Sequence, residues 1–316
     1  MRVFRHTNAT AEERGAVVAV GNFDGVHRGH QAVIGAAKKA AADAGTRLAV
    51  LTFEPHPRSV FQPGAPPFRL TPFRAKTRAL EDLGVDFLFT LHFDLDFAKK
   101  SAESFVEEVL VQGLGVKAVV VGYDFVFGNK RRGTPELLKT EGGKHGFGVG
   151  LVEPVTGPGG VIYSSTQIRE HLTSGRPRDA ASLLGRDWEI EGRVEMGDRL
   201  GRTIGFPTAN IALADYLRPA AGVYAVRVGI EESNATRWFD GAANLGWRPT
   251  VGGKDLRLEA HLFDFEGDLY GKHLRVALIE HLRPERRFDG LESLKTQIAA
   301  DCDQARSLLA PSRPRN

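Results

Sequence analysis

AVVAVGNFDGVHRGH, residues 16–30, passes from five apolar residues into ten that hold three glycines, two histidines and an aspartate. An alanine-rich stretch, QAVIGAAKKAAADAG (31–45), follows. The apolar run predicts a strand buried on both faces, and the alanine-rich run predicts a helix over about 30–43. A glycine-rich turn between such elements aims backbone N–H groups and a helix N-terminus at one point, which attracts phosphate. The pattern is neither G-x-G-x-x-G nor a P-loop. His27 and His30 stand three residues apart, so both fall on one side of the first helical turn. Imidazoles placed there can hydrogen-bond a nucleotide's phosphates and stabilise charge on a phosphorus under attack. The plainer alternative has one histidine capping the helix and the other on the surface.

Four more apolar runs follow: RLAVLTF (47–53), DFLFTLHF (86–93), KAVVVGY (117–123) and GVGLVEPV (148–155). Helix-like segments separate them at about 72–83, 101–113 and 134–144, and further helices begin near 165 and 177. This alternation predicts an α/β unit built on a parallel sheet. From about residue 186 the period changes to two in WEIEGRVEM, GVYAVRVGI, TRWFDGAANLG, LRLEAHLFDF and HLRVALIEHL. Helical spacing returns only in LESLKTQIAADCDQARSLLA, near the end. The second half therefore reads as a small antiparallel β-barrel with one C-terminal helix. Two domains are expected, 1–185 and 186–316.

The chain of 316 residues is 42% apolar and 26% charged, ordinary for a globular protein. Its formal charge of +3, from 42 basic and 39 acidic residues, is too small to argue for nucleic acid and suits anionic small molecules. The basic clusters NKRRG and RPERRF are short, and phosphate ligands explain them better than a nucleic-acid surface. A single cysteine, Cys302, excludes an internal disulfide framework and any multi-cysteine metal site. No run of 18 apolar residues occurs, and MRVFRHTNATAEERG lacks the apolar centre of a signal peptide. A soluble cytoplasmic protein is expected, with neither membrane nor nucleic acid as partner. The sequence carries no mark of an oligomeric state.

Three other segments carry chemistry. SSTQIR (164–169) offers hydroxyls at a helix start and an arginine one turn along, a pyrophosphate cradle or a simple N-cap. VGYDFVFG (121–128) supplies aromatic faces and one carboxylate after a strand; its phenylalanines serve a ligand or the core equally well. GDRLGRTIGFPTAN (197–210) spaces glycines at 197, 201 and 205 before Pro207, Thr208 and Asn210. Such a loop lets backbone approach phosphates, while a threonine hydroxyl and an asparagine carbonyl suit magnesium; a hairpin loop explains the glycines as well. Thr208 and Asn210 are two apart, so in an extended segment their side chains point the same way.

GNFDGVHRGH resembles the signature of the nucleotidylyltransferase superfamily, whose Rossmann-like domains join a nucleotide monophosphate to a phosphate. The series TFEPHP (52–57), VGYDFVFGNKRRG (121–133), SSTQIR, GRTIGFPTAN, NLGWRPT (244–250), LEAHLFDF (258–265), DLYG (268–271) and LRPERRFDG (282–290) is similar, in order, to the bacterial bifunctional riboflavin kinase/FAD synthetases. The resemblance implies riboflavin phosphorylation to FMN in the barrel and adenylylation of FMN to FAD in the α/β domain, with ATP as co-substrate and Mg2+ as cofactor. For the adenylyl site it implies ATP contacts from Gly21, Phe23, Asp24, Gly25, His27, His30, Ser164, Ser165, Thr166 and Arg169, the histidines assisting transfer. Asp124, Phe127 and Arg131 are the flavin candidates, Arg131 standing in because Val126 replaces a basic residue frequent in relatives. For the kinase site it implies ATP contacts from Gly197, Gly201, Gly205, Pro207, Thr208 and Asn210, metal ligation by Thr208 and Asn210, and Glu259 as base for the flavin 5′-hydroxyl. Val251 stands where relatives often carry an aromatic residue. An enzyme keeping one activity, or a sensing module without turnover, are the rival readings.

Overall fold

Val17 and Ala19 point to one face of their strand and Val18 and Val20 to the other, and all four are buried. That is the arrangement a continuous apolar run demands. The computed structural model describes residues 1–157, 160–196, 201, 204–232, 235–250 and 253–310, with backbone alone at 248–250 and 253–255. The chain packs as two units, one of residues 1–66 and 71–165, the other of residues 67–70 and those from 166 on.

In the first unit, β1 (Arg2–Phe4), β2 (Val17–Val20), β3 (Leu48–Glu54), β4 (Phe87–His92), β5 (Ala118–Gly122) and β6 (Gly148–Val152) form a parallel sheet ordered β1-β4-β3-β2-β5-β6. The intervening helices are α1 (Arg28–Asp43), α2 (Pro57–Phe61), α3 (Phe73–Asp82), α4 (Ala102–Ser104) and α5 (Pro135–His145). α1 buries Val33, Ile34, Ala37 and Ala41 against the Val17 face. α4 runs on into a π-helical stretch, Phe105–Leu114, which covers the Val18 face with Phe105, Val106, Val109 and Leu110. From β2 the chain steps outward to β3 and β4, then returns to the other side of β2 for β5 and β6. The carboxyl ends of β2 and β5 therefore flank the reversal point, where open parallel sheets bind ligands.

The second unit takes α6 (Ser165–Thr173) from Thr166 on, and α6 and α7 (Pro177–Leu184) precede β7 (Trp188–Arg193), β8 (Ala209–Ala212), β9 (Gly222–Glu231), β10 (Thr236–Thr250), β11 (Gly253–Leu262) and β12 (His273–Arg283). The strands pair antiparallel in the order β7-β12-β9-β10-β11-β8. The sheet curls into a half-barrel, and Glu195, just past β7, donates its N–H to Asn210 O of β8 at 2.9 Å, a single bridge between the two edges. Ile190, Val226, Leu245, Leu258 and Val276 fill the interior. The C-terminal helix α8 (Leu291–Leu309) lies outside the barrel, against β9, β10 and β12. Ala225 and Ala242, directly paired across β9 and β10, leave room for Cys302, Ala305 and Leu309 to approach.

Three features differ from the sequence reading. β1 is a short edge strand with no periodicity to betray it, and β8 takes four residues from what reads as the tail of a loop. Residues 67–70 pack with the second unit, where Leu70 O accepts from the buried Trp188 indole at 2.8 Å and Arg69 O from Leu217 N at 2.8 Å. Among the described residues no helix is long and apolar enough to cross a membrane.

Burial on the inner face of α8, reinforced by the Asp301 carboxylate, pushes the Cys302 thiol up to about 11. The thiolate is the reactive form, so at pH 8 only about one molecule in a thousand carries it. The native protein is expected to leave a thiol-disulfide indicator unreacted at pH 8 and to react fully once unfolded in denaturant; rapid native labelling would show that this face of α8 is not docked on the barrel.

Candidate active sites

The first site begins where β2 ends. Phe23, Gly25 and Val26 all hold positive φ, at +49°, +91° and +45°. Phenylalanine and valine rarely adopt this conformation, and it persists where the surroundings fix it. Here they do. Phe23 and Val26 are buried. The buried Asp24 carboxylate accepts from Thr71 N at 3.0 Å, while Thr71 Oγ1 accepts from Gly25 N at 2.8 Å. Ser165 Oγ donates to Asp24 O at 2.8 Å, Gln31 Nε2 to Val26 O at 2.9 Å, and Thr52 Oγ1 to Asn22 O at 3.2 Å.

This turn delivers His27 as the N-cap of α1, its Nδ1 accepting from His30 N at 3.3 Å. The two imidazoles stack with centroids 3.7 Å apart and 21° between planes, and Phe23 meets His30 edge-on at 5.2 Å. Capping and pairing, which the sequence poses as alternatives, are thus combined in His27. Gly29 makes the pairing possible: a Cβ there would lie 3.1 Å from the His27 ring and 3.3 Å from Tyr163 O. Tyr163 leads directly into Ser164 and Ser165, so the second predicted phosphate segment starts beside the first. Thr166 and Arg169 continue α6 into the second unit. There Arg169 Nε donates to Phe68 O at 2.9 Å and its guanidinium lies 5.5 Å from the Phe68 ring centre.

The structure also sorts the remaining candidates. Gly21 follows the strand, and the buried Phe23 and Asp24 side chains shape the loop; His27 is buried with them, while His30 is half-buried. Asp124 is exposed just past the carboxyl end of β5, the strand beside β2. Arg131 is exposed, at φ +58°. Phe127 is buried in the core, stacked on Phe125 at 5.4 Å and 5.5 Å from Phe105. The sequence reading misses Lys76 of α3. This fully buried ammonium donates to Thr52 Oγ1 at 3.3 Å and Glu54 Oε1 at 3.1 Å, tying the FEPHP segment to the turn through Thr52. Nothing in its helical surroundings, FRAKTRALED, marks it off from a surface lysine.

The second site rests on register. Glu259 of β11 lies opposite Asn210 of β8 on one side and Asn244 of β10 on the other. Leu258 and Ala260 point into the barrel, so Glu259 and its two asparagine neighbours share the outer face. Directly opposed residues stand about 5 Å apart, within reach of one ligand group. The preceding loop folds back at Gly201, whose carbonyl accepts from Phe206 N at 2.8 Å. A Cβ at Gly201 would lie 2.4 Å from Phe206 O and 3.4 Å from Thr208 Oγ1. Gly205 holds φ +91°, and Pro207 and Thr208 follow it into β8. Gly197 and Val251 lie outside the described residues. Asn244, within the recognised NLGWRPT segment, gains its place beside Glu259 only from the strand pairing.

Two family models match the chain: FAD synthetase over residues 9–167 and riboflavin kinase over residues 184–309. Relatives named bifunctional riboflavin kinase/FMN adenylyltransferase include one from Escherichia coli K12, 42% identical over 98% of this chain and 97% of its own. Another, from Pseudomonas fluorescens, is 43% identical over 98% and 97%. The chain belongs to this bifunctional family. A crystal structure titled as a macrolide-efflux protein from Streptococcus pneumoniae is also similar, with a TM-score of 0.83, 32% identity, and coverage of 95% of this chain and 96% of that one. In the riboflavin kinase/FMN adenylyltransferase family frame, the histidine turn falls within the FAD synthetase match and the Glu259 row within the riboflavin kinase match.

Gly29→Ala is expected to push the His27 ring from its stacked position, because the added Cβ would lie 3.1 Å from that ring and 3.3 Å from Tyr163 O, closer than ordinary van der Waals contact. FAD formation from supplied FMN should fall at least about tenfold, the scale of a misplaced reacting group, while FMN formation from riboflavin stays at the wild-type rate. Equal rates of FAD formation in variant and wild type would remove Gly29 from the site.

Proposed function

We propose that the barrel transfers the γ-phosphoryl group of ATP to the 5′-hydroxyl of riboflavin, giving FMN and ADP. The α/β domain then transfers AMP from a second ATP to the FMN phosphate, giving FAD and pyrophosphate. The observation that carries the reading is the row Asn210–Glu259–Asn244, which sets a carboxylate between two amides beside the PTAN loop. A ribityl hydroxyl is a poor nucleophile until an acceptor takes its proton, and Glu259 is placed to be that acceptor. Thr208 and Asn210 are neutral, hard oxygen donors of the kind magnesium accepts alongside phosphate oxygens and water. These two residues would hold the ion together with ATP phosphate oxygens and water. Magnesium, when bound there, neutralises charge on the transferring phosphoryl group.

In the α/β domain, His27 and His30 at the α1 N-terminus hold the ATP phosphates and stabilise charge at the α-phosphorus. Ser164, Ser165, Thr166 and Arg169 receive the departing pyrophosphate, while Asp124 and Arg131 face the flavin nucleotide. Phe127 supports that wall from the core. The division into catalytic domains near residue 185 belongs to the same proposal: the family matches end at 167 and resume at 184. Both reactions act on small molecules, in the cytoplasm, with no part for nucleic acid or membrane.

Incubation with riboflavin, ATP and Mg2+, followed by chromatography, should show FMN and then FAD. Glu259→Gln is expected to slow FMN formation by about 10²- to 10⁴-fold, the usual contribution of a positioned base, and to leave conversion of supplied FMN to FAD intact. His27→Ala and His30→Ala should instead let FMN accumulate. A Glu259→Gln enzyme that makes FMN at the wild-type rate, or histidine variants with undiminished FAD output, would overturn the respective assignment.

A further inference from the structure

His261 Nδ1 lies 2.8 Å from the carbonyl oxygen of Pro207. A carbonyl only accepts, so Nδ1 carries the proton and donates. The contact comes where the backbone ladder gives out. β8 and β11 pair from Arg257↔Ala212 to Ala260↔Ala209, and the pairing stops there. One further step of the same register would set His261 opposite Thr208. Thr208 is therefore the first residue beyond the ladder, and Pro207 before it has no N–H with which to bind a neighbouring strand. The imidazole fixes the chain on one side of Thr208 and the ladder at Ala209 fixes it on the other.

The ring is itself held in place. It meets Phe206 edge-on at 5.6 Å and Phe263 at 5.8 Å. Phe263 is buried beneath α8, and Phe206 packs on the same cluster. On β11, His261 stands two residues from Glu259 and so projects from the same face.

We infer that His261 is a positioning residue for riboflavin phosphorylation, holding the Pro207–Asn210 segment in register with Glu259. One strand then carries both the base and the support of the loop that meets ATP. The inference rests on the reading of that loop as the kinase nucleotide site.

The test is steady-state kinetics of FMN formation by the full chain, with FAD formation from supplied FMN by the same polypeptide as an internal reference. The asparagine amide nitrogen reproduces the place of Nδ1, whereas the glutamine amide reaches toward that of Nε2. His261→Gln is expected to raise the KM for ATP in FMN formation about three- to tenfold, as loss of one neutral hydrogen bond does. The KM for riboflavin and the KM for ATP in FAD formation should not move, and His261→Asn should restore the wild-type value. Asparagine and glutamine variants that share one KM for ATP in FMN formation, or that both fail to fold, would overturn the inference. Thr208→Ala separates the two levels. If it leaves the KM for ATP in FMN formation unchanged, the loop reading itself fails; if it raises that KM while the His261 variants behave alike, only the role of His261 falls.

Discussion

The buried carboxylate of Asp24 and the hydroxyl and amide of Thr71 hold one short segment of backbone in a conformation it would not otherwise keep. With Phe23 and Val26 both in the left-handed region, the turn after β2 is costly by itself, on the order of 1–3 kcal/mol for each such residue. The cost is offset by tertiary bonds from Thr52, Thr71 and Ser165, which lie far apart in the chain. The stacked histidine pair depends on that turn, because it sets where α1 begins and which side chain caps it. A relaxed turn would keep both histidines and lose their mutual placement.

The two sites are built by different means. In the α/β unit, a helix N-terminus, a reversal in strand order and a strained loop converge on a single point. In the barrel no strain is recruited at the base. Antiparallel register alone brings Asn210, Glu259 and Asn244 into line, and a slip of one residue would turn Glu259 toward the interior now filled by Leu258. The Glu195–Asn210 bridge between the two edge segments opposes that slip.

Much of this was legible in the sequence. Continuous apolar runs marked β2 to β5 because strands buried on both faces need them, and period two marked the longer barrel strands. Glycines and histidines at 21–30 located the first site because a turn of that kind needs unusual residues. What escaped notice had no local signature. β1 is too short for a period, and β8 borrows its pairing from β11. The π-helical stretch buries residues 105, 106, 109, 110, 113 and 114, a repeat of four that does not separate it from an α-helix. Lys76 looks like a surface lysine until α3 is docked, and Phe127, which reads equally as ligand-facing or core, packs in the core against Phe105 and Phe125.

Residues 67–70 bear on how such a protein can be inherited in parts. Their packing means that the chain enters the second unit, leaves it and returns, so no single cut separates the two units cleanly. A gene fragment encoding the barrel from Trp188 onward would lack the Leu70 carbonyl that this indole binds and the Arg69 carbonyl that Leu217 binds. A lineage that kept the kinase alone would need new residues to cap those donors. Four residues that precede α3 in the chain are thus part of the barrel unit's own packing.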